Sequence, residues 1–88
     1  MGQVLNWDEE SADYLRARSD RYPGGRGIEP EWAQQVMDDV DLVAFEPDPK
    51  SRMGASRFIG FSADAGRVLV VIAFRAADGD LHGLTAWP

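Results

Sequence analysis

Two hydrophobic spacings divide this chain. Up to about residue 39 the apolar positions recur at helical intervals; beyond it they come in short runs separated by turn residues. Residues 3–7 (Gln-Val-Leu-Asn-Trp) alternate weakly and predict a short edge strand. Asn6 with Glu9 three positions later fits a capping box, and a helix is expected from Trp7 or Asp8 to about Arg18. Asp8, Glu9 and Glu10 open it and Arg16 and Arg18 close it, the order the helix dipole favours. Trp7, Ala12 and Leu15 form its narrow apolar stripe. Residues 22–27, with one proline and three glycines, then interrupt any helix. The second helix signal spans residues 27–39, with Pro30 in its first turn. Trp32, Ala33, Val36 and Met37 share one face, which makes Trp32 a core residue rather than a base-stacking one.

The remaining segments read as strands. Residues 41–46 end at Pro47, and the prolines of 47–54 exclude both helix and central strand there. Residues 57–62 and 67–75 flank a turn in which Gly66 suits a positive φ. Asp78-Gly79 predicts the turn into residues 81–87. The run from Val68 to Phe74 is apolar at every position, so it should lie mid-sheet or be covered on both sides. This order predicts a single α+β domain over residues 1–88, with two N-terminal helices packed on a mainly antiparallel four- to five-stranded sheet. Leu15, Trp32, Val36 and Met37 should pack on one face of it.

Composition narrows the chemistry. With 88 residues there is room for one domain, which buries only about 60–65% of its unfolded surface. The absence of cysteine excludes disulfides and thiolate metal sites. No apolar run is long enough to cross a bilayer or to serve as a signal peptide, so a cytoplasmic location is expected, without membrane contact. The net charge is −6, but it is unevenly spread. Residues 1–47 hold four arginines and eleven acids, whereas Lys50 to Arg75 hold five basic residues and one acid, Asp64. A local basic stretch can attract phosphate even on an acidic protein, although the same unevenness is common on ordinary solvated surfaces.

Conventional catalytic sets are missing. There is one histidine, no nucleophile-elbow pattern and no glycine-rich phosphate loop with its lysine. Asp38, Asp39 and Asp41 are neighbours, but the first two point about 100° apart on a helix, so no metal site is expected and no cofactor is implied. What remains is arginine on strands. Arg67 and Arg75 lie about 26 Å apart at the ends of one strand and cannot share a phosphate. Arg57 starts the antiparallel neighbour and should lie opposite residues 72–74, near Arg75; His82 follows the next turn. Arg57, Arg75 and His82 are therefore the candidate catalytic group at one end of the sheet, with Lys50 and Arg52 leading in as RNA-binding residues. The plainer reading is that charges at strand ends discourage aggregation.

The pattern resembles the BrnT-type toxins of bacterial type II toxin–antitoxin pairs, which have a RelE-like ribonuclease fold. Trp7-Asp8 matches the family's opening, Arg26-Gly27-Ile28 its turn with arginine in place of histidine, and Glu31-Trp32-Ala33 the start of its second helix. Arg57-Phe58-Ile59-Gly60 lies near its arginine strand, and Gly66-Arg67-Val68-Leu69-Val70-Val71 fits its hydrophobic strand. The last stretch, His82-Gly83-Leu84-Thr85-Ala86-Trp87, replaces both family arginines, and the family continues past the position of Pro88 into a short helix. The resemblance covers nearly the whole chain with short, degenerate motifs. It implies a toxin that cleaves RNA without metal; the missing basic residues make that activity reduced or uncertain. It also implies a cognate antitoxin with a ribbon-helix-helix DNA-binding part.

In that reaction the ribose 2′-hydroxyl attacks the adjacent phosphate while Arg57 and Arg75 stabilise the phosphate oxygens through their bidentate forks. Histidine is the side-chain type that exchanges protons near neutral pH, so His82 is the default acid or base. The alternative is a non-catalytic protein-interaction module with the same fold, favoured by the acidic net charge and the absent arginines. The edge of the last strand, with Trp87 as an apolar anchor, is the expected surface for the partner or for a homo-oligomer.

Overall fold

A computed structural model of the chain describes residues 4–17, 28–51 and 54–88. Strand β1 (Leu5–Asn6) is followed by helices α1 (Glu9–Arg16) and α2 (Pro30–Asp38), and then by strands β2 (Val43–Phe45), β3 (Ser56–Ser62), β4 (Arg67–Arg75) and β5 (Leu81–Trp87). The five strands form one sheet in the order β1-β5-β4-β3-β2. The α+β class is as expected, with two corrections. The sheet is mixed, because β1 runs parallel to β5, with Leu5 opposite Leu81 and Asn6 opposite His82. The helices do not open the fold but connect β1 to β2. Connectivity permits the parallel pair: no tight turn joins β1 to β5, so nothing forces them to run in opposite directions.

The hairpins follow their turn chemistry. Gly66 and Gly79 take φ of 69° and 93°, a region in which a Cβ is strained. Arg57 pairs with Ile72, within the expected window of 72–74. At the start of α1 the cap lies two residues later than predicted. Asp8 accepts the Ser11 N–H at 2.7 Å, whereas Asn6 is extended in β1 and donates its side-chain amide to the Leu81 carbonyl at 3.1 Å. Asn6 is held by strand pairing, which leaves the capping role to the next acceptor. Arg18 and the loop of residues 22–27 lie outside the described residues.

Both helices cover the same side of the sheet. Leu15, Ile28, Ala33, Val36 and Met37 are buried against Phe58, Leu69, Val71, Ala73, Leu81 and Ala86. Trp32 packs on this core but is only half-buried. Polar groups of α2 anchor it to the strands. Gln34 accepts the Leu5 N–H at 2.8 Å, Gln35 accepts the Ser62 hydroxyl at 2.6 Å and the Asp64 N–H at 3.0 Å, and Asp39 accepts the Phe61 N–H at 2.8 Å. These bonds satisfy backbone groups at the sheet margin. The helix approaches β3 so closely that a Cβ on Gly60 would sit 2.9 Å from the Val36 carbonyl oxygen. Likewise, a Cβ on Gly83 would fall within the Trp7 indole.

Candidate functional site on the open face of the sheet

Side chains alternate across a strand, so burying Leu69, Val71 and Ala73 turns their neighbours to the other side. That side presents Val43 and Phe45 from β2; Arg57, Ile59 and Phe61 from β3; and Val68, Val70, Ile72 and Phe74 from β4. From β5 it receives His82, Thr85 and Trp87, which pair with Phe74, Ile72 and Val70. Leu84 occupies the register shift between Ile72 and Ala73 and is exposed. Neither helix covers this face: Val43, Phe45, Phe61, Val68, Phe74 and Leu84 are exposed on it, while the connection after β2 reaches over Arg57 through Asp48. The Val68-to-Phe74 run does lie mid-sheet, as predicted, but only one of its two sides is covered.

The face is apolar and aromatic, and its strands carry no carboxylate. Strands β2 to β5 contain three arginines and one histidine and no Asp or Glu; the acids among the described residues lie in helices and connections. Arg57 is the arginine on the open side. Its guanidinium carbon lies 4.8 Å from the centre of the Phe45 ring, its cross-strand neighbour, a distance at which cation and ring attract. Its Nε stands 3.4 Å from a carboxylate oxygen of Asp48, an ion pair without hydrogen-bond alignment that leaves this buried N–H without an acceptor.

Asp48 itself is 8% exposed and is held by its loop. Its backbone N–H donates to the Ala55 carbonyl at 2.8 Å, and its side chain accepts the Lys50 N–H at 3.0 Å. Lys50 is exposed on that loop, and Arg52 lies outside the described residues.

Arg75 does not join Arg57. By alternation it projects from the helix-covered side of β4, opposite Leu81, while Arg57 projects from the open side. Its fork is closed on Glu46, with Nε to Oε2 at 2.6 Å and Nη2 to Oε1 at 3.0 Å, and Nη1 donates to the Gly79 carbonyl at 2.7 Å. This pairing, the first cause of both shifts, holds the Glu46 carboxyl below its ordinary value and raises the Arg75 guanidinium above its own. Glu46 and Asp48 flank Pro47, so the connection leaving β2 supplies a carboxylate to each of the two candidate arginines.

His82 is exposed on the open side. The pairing places it two strands from Arg57 and two positions along, about 12 Å between backbones. Arg57 and His82 therefore share one face; Arg75 belongs to the other. Arg67, at the far end of β4, borders a separate 180 Å³ hollow lined by Ile28, Trp32, Asp64, Ala65, Leu69 and Pro88.

Sequence reasoning missed the two carboxylates. Their signal was present, since Glu46 and Asp48 border the strand that pairs with Arg57. It also treated the β5 edge as open, but β1 occupies that edge at Leu81 and His82.

Among the described residues no group of three or more His, Asp or Glu is arranged to hold a metal, and no helix is long and apolar enough to cross a membrane. No family model matches the chain, and neither a curated protein nor a solved structure shows significant similarity to it.

Proposed function

We propose that this chain is the toxin component of a type II toxin–antitoxin pair and that RNA lies against the open face of its sheet. The observation that carries this reading is the composition of that face. Phe45, Phe61, Phe74 and Trp87 offer flat surfaces to bases, Arg57 and His82 are its basic side chains, and its strands carry no carboxylate, the one beside Arg57 being supplied by Asp48 of the neighbouring connection. Aromatic platforms with interspersed cations are what single strands bind to, each stacked base contributing about 1–3 kcal/mol. The acidic net charge of −6 weakens long-range attraction, which accords with reduced activity.

In this reading Arg57 exchanges Asp48 for a phosphate oxygen. The 2′-oxygen attacks phosphorus and the bond to the 5′-oxygen breaks. His82 delivers the proton that the leaving oxygen takes up, and the 2′-hydroxyl proton passes to water. Arg75, bound bidentately on the opposite side, holds the β2 connection rather than the phosphate. The antitoxin would silence the protein by covering the same face.

Induced expression of the gene without its neighbour tests the reading. Growth should slow, Arg57→Ala should relieve the arrest in a protein that stays folded, and Arg75→Ala should not. Arrest that persists in folded Arg57→Ala excludes phosphate stabilisation by Arg57. Absence of arrest with the unaltered gene favours the second reading, a protein-interaction module. That reading draws on the Asp48–Arg57 ion pair and on the aliphatic residues of the face, which RNA does not require.

A further inference from the structure

The arginines on the two sides of the sheet differ in how completely they are held. Arg75 donates to Glu46 at 2.6 and 3.0 Å and to the Gly79 carbonyl at 2.7 Å. Arg57 has an ion pair and a ring contact but, among the described residues, no side-chain hydrogen bond. Its Nε lies 3.4 Å from Asp48 Oδ2, whereas an aligned charged pair closes to about 2.7–2.9 Å. The guanidinium sits over the Phe45 ring, with Asp48 beside its N–H groups rather than in line with them.

Asp48 is fixed independently of Arg57. Its Oδ1 accepts the Lys50 N–H at 3.0 Å and its carbonyl accepts the Ser51 N–H at 2.9 Å. Its own N–H donates to the Ala55 carbonyl at 2.8 Å, and the Ala55 N–H donates to Ser51 Oγ at 3.0 Å. The side chain is 10% exposed. A loop tied at residues 48, 51 and 55 cannot swing the carboxylate away without breaking these bonds, so any exchange of partners must be made by the longer Arg57 side chain.

We infer that Asp48 is a built-in counter-ion that keeps the anion affinity of Arg57 low, an autoinhibitory contact at the proposed phosphate site. This role rests on the reading that Arg57 takes up a phosphate oxygen, and adds how that uptake is held in check. Misalignment leaves Arg57 with donors to offer, and a phosphate oxygen that takes them gains charge-assisted hydrogen bonds. The same phosphate then stands beside a fixed negative charge, which opposes it. Strands β2 to β5 carry no acid, and Glu46, the other carboxylate of the connection after β2, is engaged by Arg75 on the opposite side. The opposing charge at Arg57 is therefore that of Asp48.

The test is a titration of the purified chain with inorganic phosphate from about 0.1 to about 100 mM, the range of weak binding, at constant ionic strength. Binding is followed at the Arg57 Nε–H resonance by NMR, beside Asp48→Asn. The carboxamide keeps the Oδ1 acceptor for the Lys50 N–H and removes the charge. The expected result is a dissociation constant at least about tenfold lower in Asp48→Asn, with no such gain when Arg57→Ala is added and binding is read from the backbone resonances of β3. Should the carboxamide disturb the loop by circular dichroism, Asp48→Ser supplies a neutral acceptor at the same turn. Unchanged or weaker phosphate binding in a folded Asp48 variant overturns the inference, because Asp48 then positions Arg57 instead of opposing its ligand. A gain that persists without Arg57, or loss of the fold in both Asp48 variants, overturns it as well. RNA is read separately, by titration of a single-stranded oligonucleotide into unaltered chain and Arg57→Ala. Phosphate binding that tightens in Asp48→Asn while RNA binding ignores Arg57 removes the RNA reading alone. RNA binding through Arg57 with no gain for phosphate in the Asp48 variants removes the counter-ion alone.

Discussion

Along β4, Leu69, Val71 and Ala73 are at most 1% exposed, whereas Val68 and Phe74, between or beside them on the same strand, are 53% and 44% exposed. Residue type does not separate the two sets, since both are apolar. What separates them is that α1 and α2 pack on one side and no helix packs on the other. The covered side is a core, with small residues where elements approach closely: Ala33, Ala73, Ala86, Gly60 and Gly83. The open side has no such fitting and instead gathers Phe45, Phe61, Phe74 and Trp87 with Arg57 and His82. Equal hydrophobicity on two sides of a strand therefore has two explanations. One is local packing, which accounts for the covered side; the other is the proposed contact of the open side with another molecule.

The largest effect expected from breaking this comparison comes from paired truncations on β3. Phe58 is fully buried and Phe61, three positions on, is half-exposed on the other face. Phe58→Ala should cost about 3–5 kcal/mol in urea unfolding, much of the total stability of a small domain. Phe61→Ala should change it by less than about 0.5 kcal/mol in dilute monomer. Equal losses at both positions would mean that the open face is packed in the monomer.

A second comparison is between Gly83 and its strand neighbour Leu84. Gly83→Ala should destabilise by about 1–3 kcal/mol, because the methyl group must displace the Trp7 ring from a packed site. Leu84→Ala, at an exposed register shift, should be close to neutral in the monomer. Trp7 fluorescence should shift in the first variant only. An unchanged melting temperature for Gly83→Ala would show that Trp7 moves freely against β5.

Strand positions were legible because turn chemistry and period coincide. Asp78-Gly79 and Gly66 bracket β4, and counting from the first hairpin placed Arg57 opposite residues 72–74, a window that contains its true partner Ile72. The face of each side chain was also legible, since alternation assigned Val68 and Phe74 together and Leu69 and Val71 together. Long-range choices were not. The pairing of β1 with β5 spans residues 5 to 81, and no local signal specifies whether so distant a pair runs parallel. Which side of the sheet the helices would cover was equally hidden, because β4 is apolar on both. The candidate site suffered for the same reason: Arg57 and Arg75 were placed correctly along their strands and near one end, but parity divides them between faces. Their carboxylate partners come from a connection rather than a strand, where period carries no information.

The smallest expected effect tests the division between the two arginines. Arg75 and Glu46 are each about one-third exposed, so the pair is partly screened, and Glu46→Gln should cost no more than about 1 kcal/mol. Its pH dependence has a definite sign. Hydrogen bonding to Arg75 lowers the Glu46 carboxyl below its ordinary value near 4.5, so the folded state binds its proton less readily than the unfolded state. The stability from this pair is therefore complete above about pH 4.5, and it fades as pH falls through the lower folded-state value. Asp39 and Asp8 are lowered as well, the first by the Asp41 and Phe61 N–H groups and the second by Ser11, so the unaltered protein loses stability on acidification for several reasons together. The informative quantity is the difference between unaltered chain and Glu46→Gln. It should be largest near neutral pH and shrink toward zero in acid, while the RNA binding proposed for Arg57 should be the same in both. A stability difference independent of pH would show that Glu46 acts through packing. A Glu46→Gln variant that changes RNA affinity as strongly as Arg57→Ala would show that the two sides of the sheet are coupled through residues 46–48, and Arg75 would then return to the site from which its position on β4 separates it.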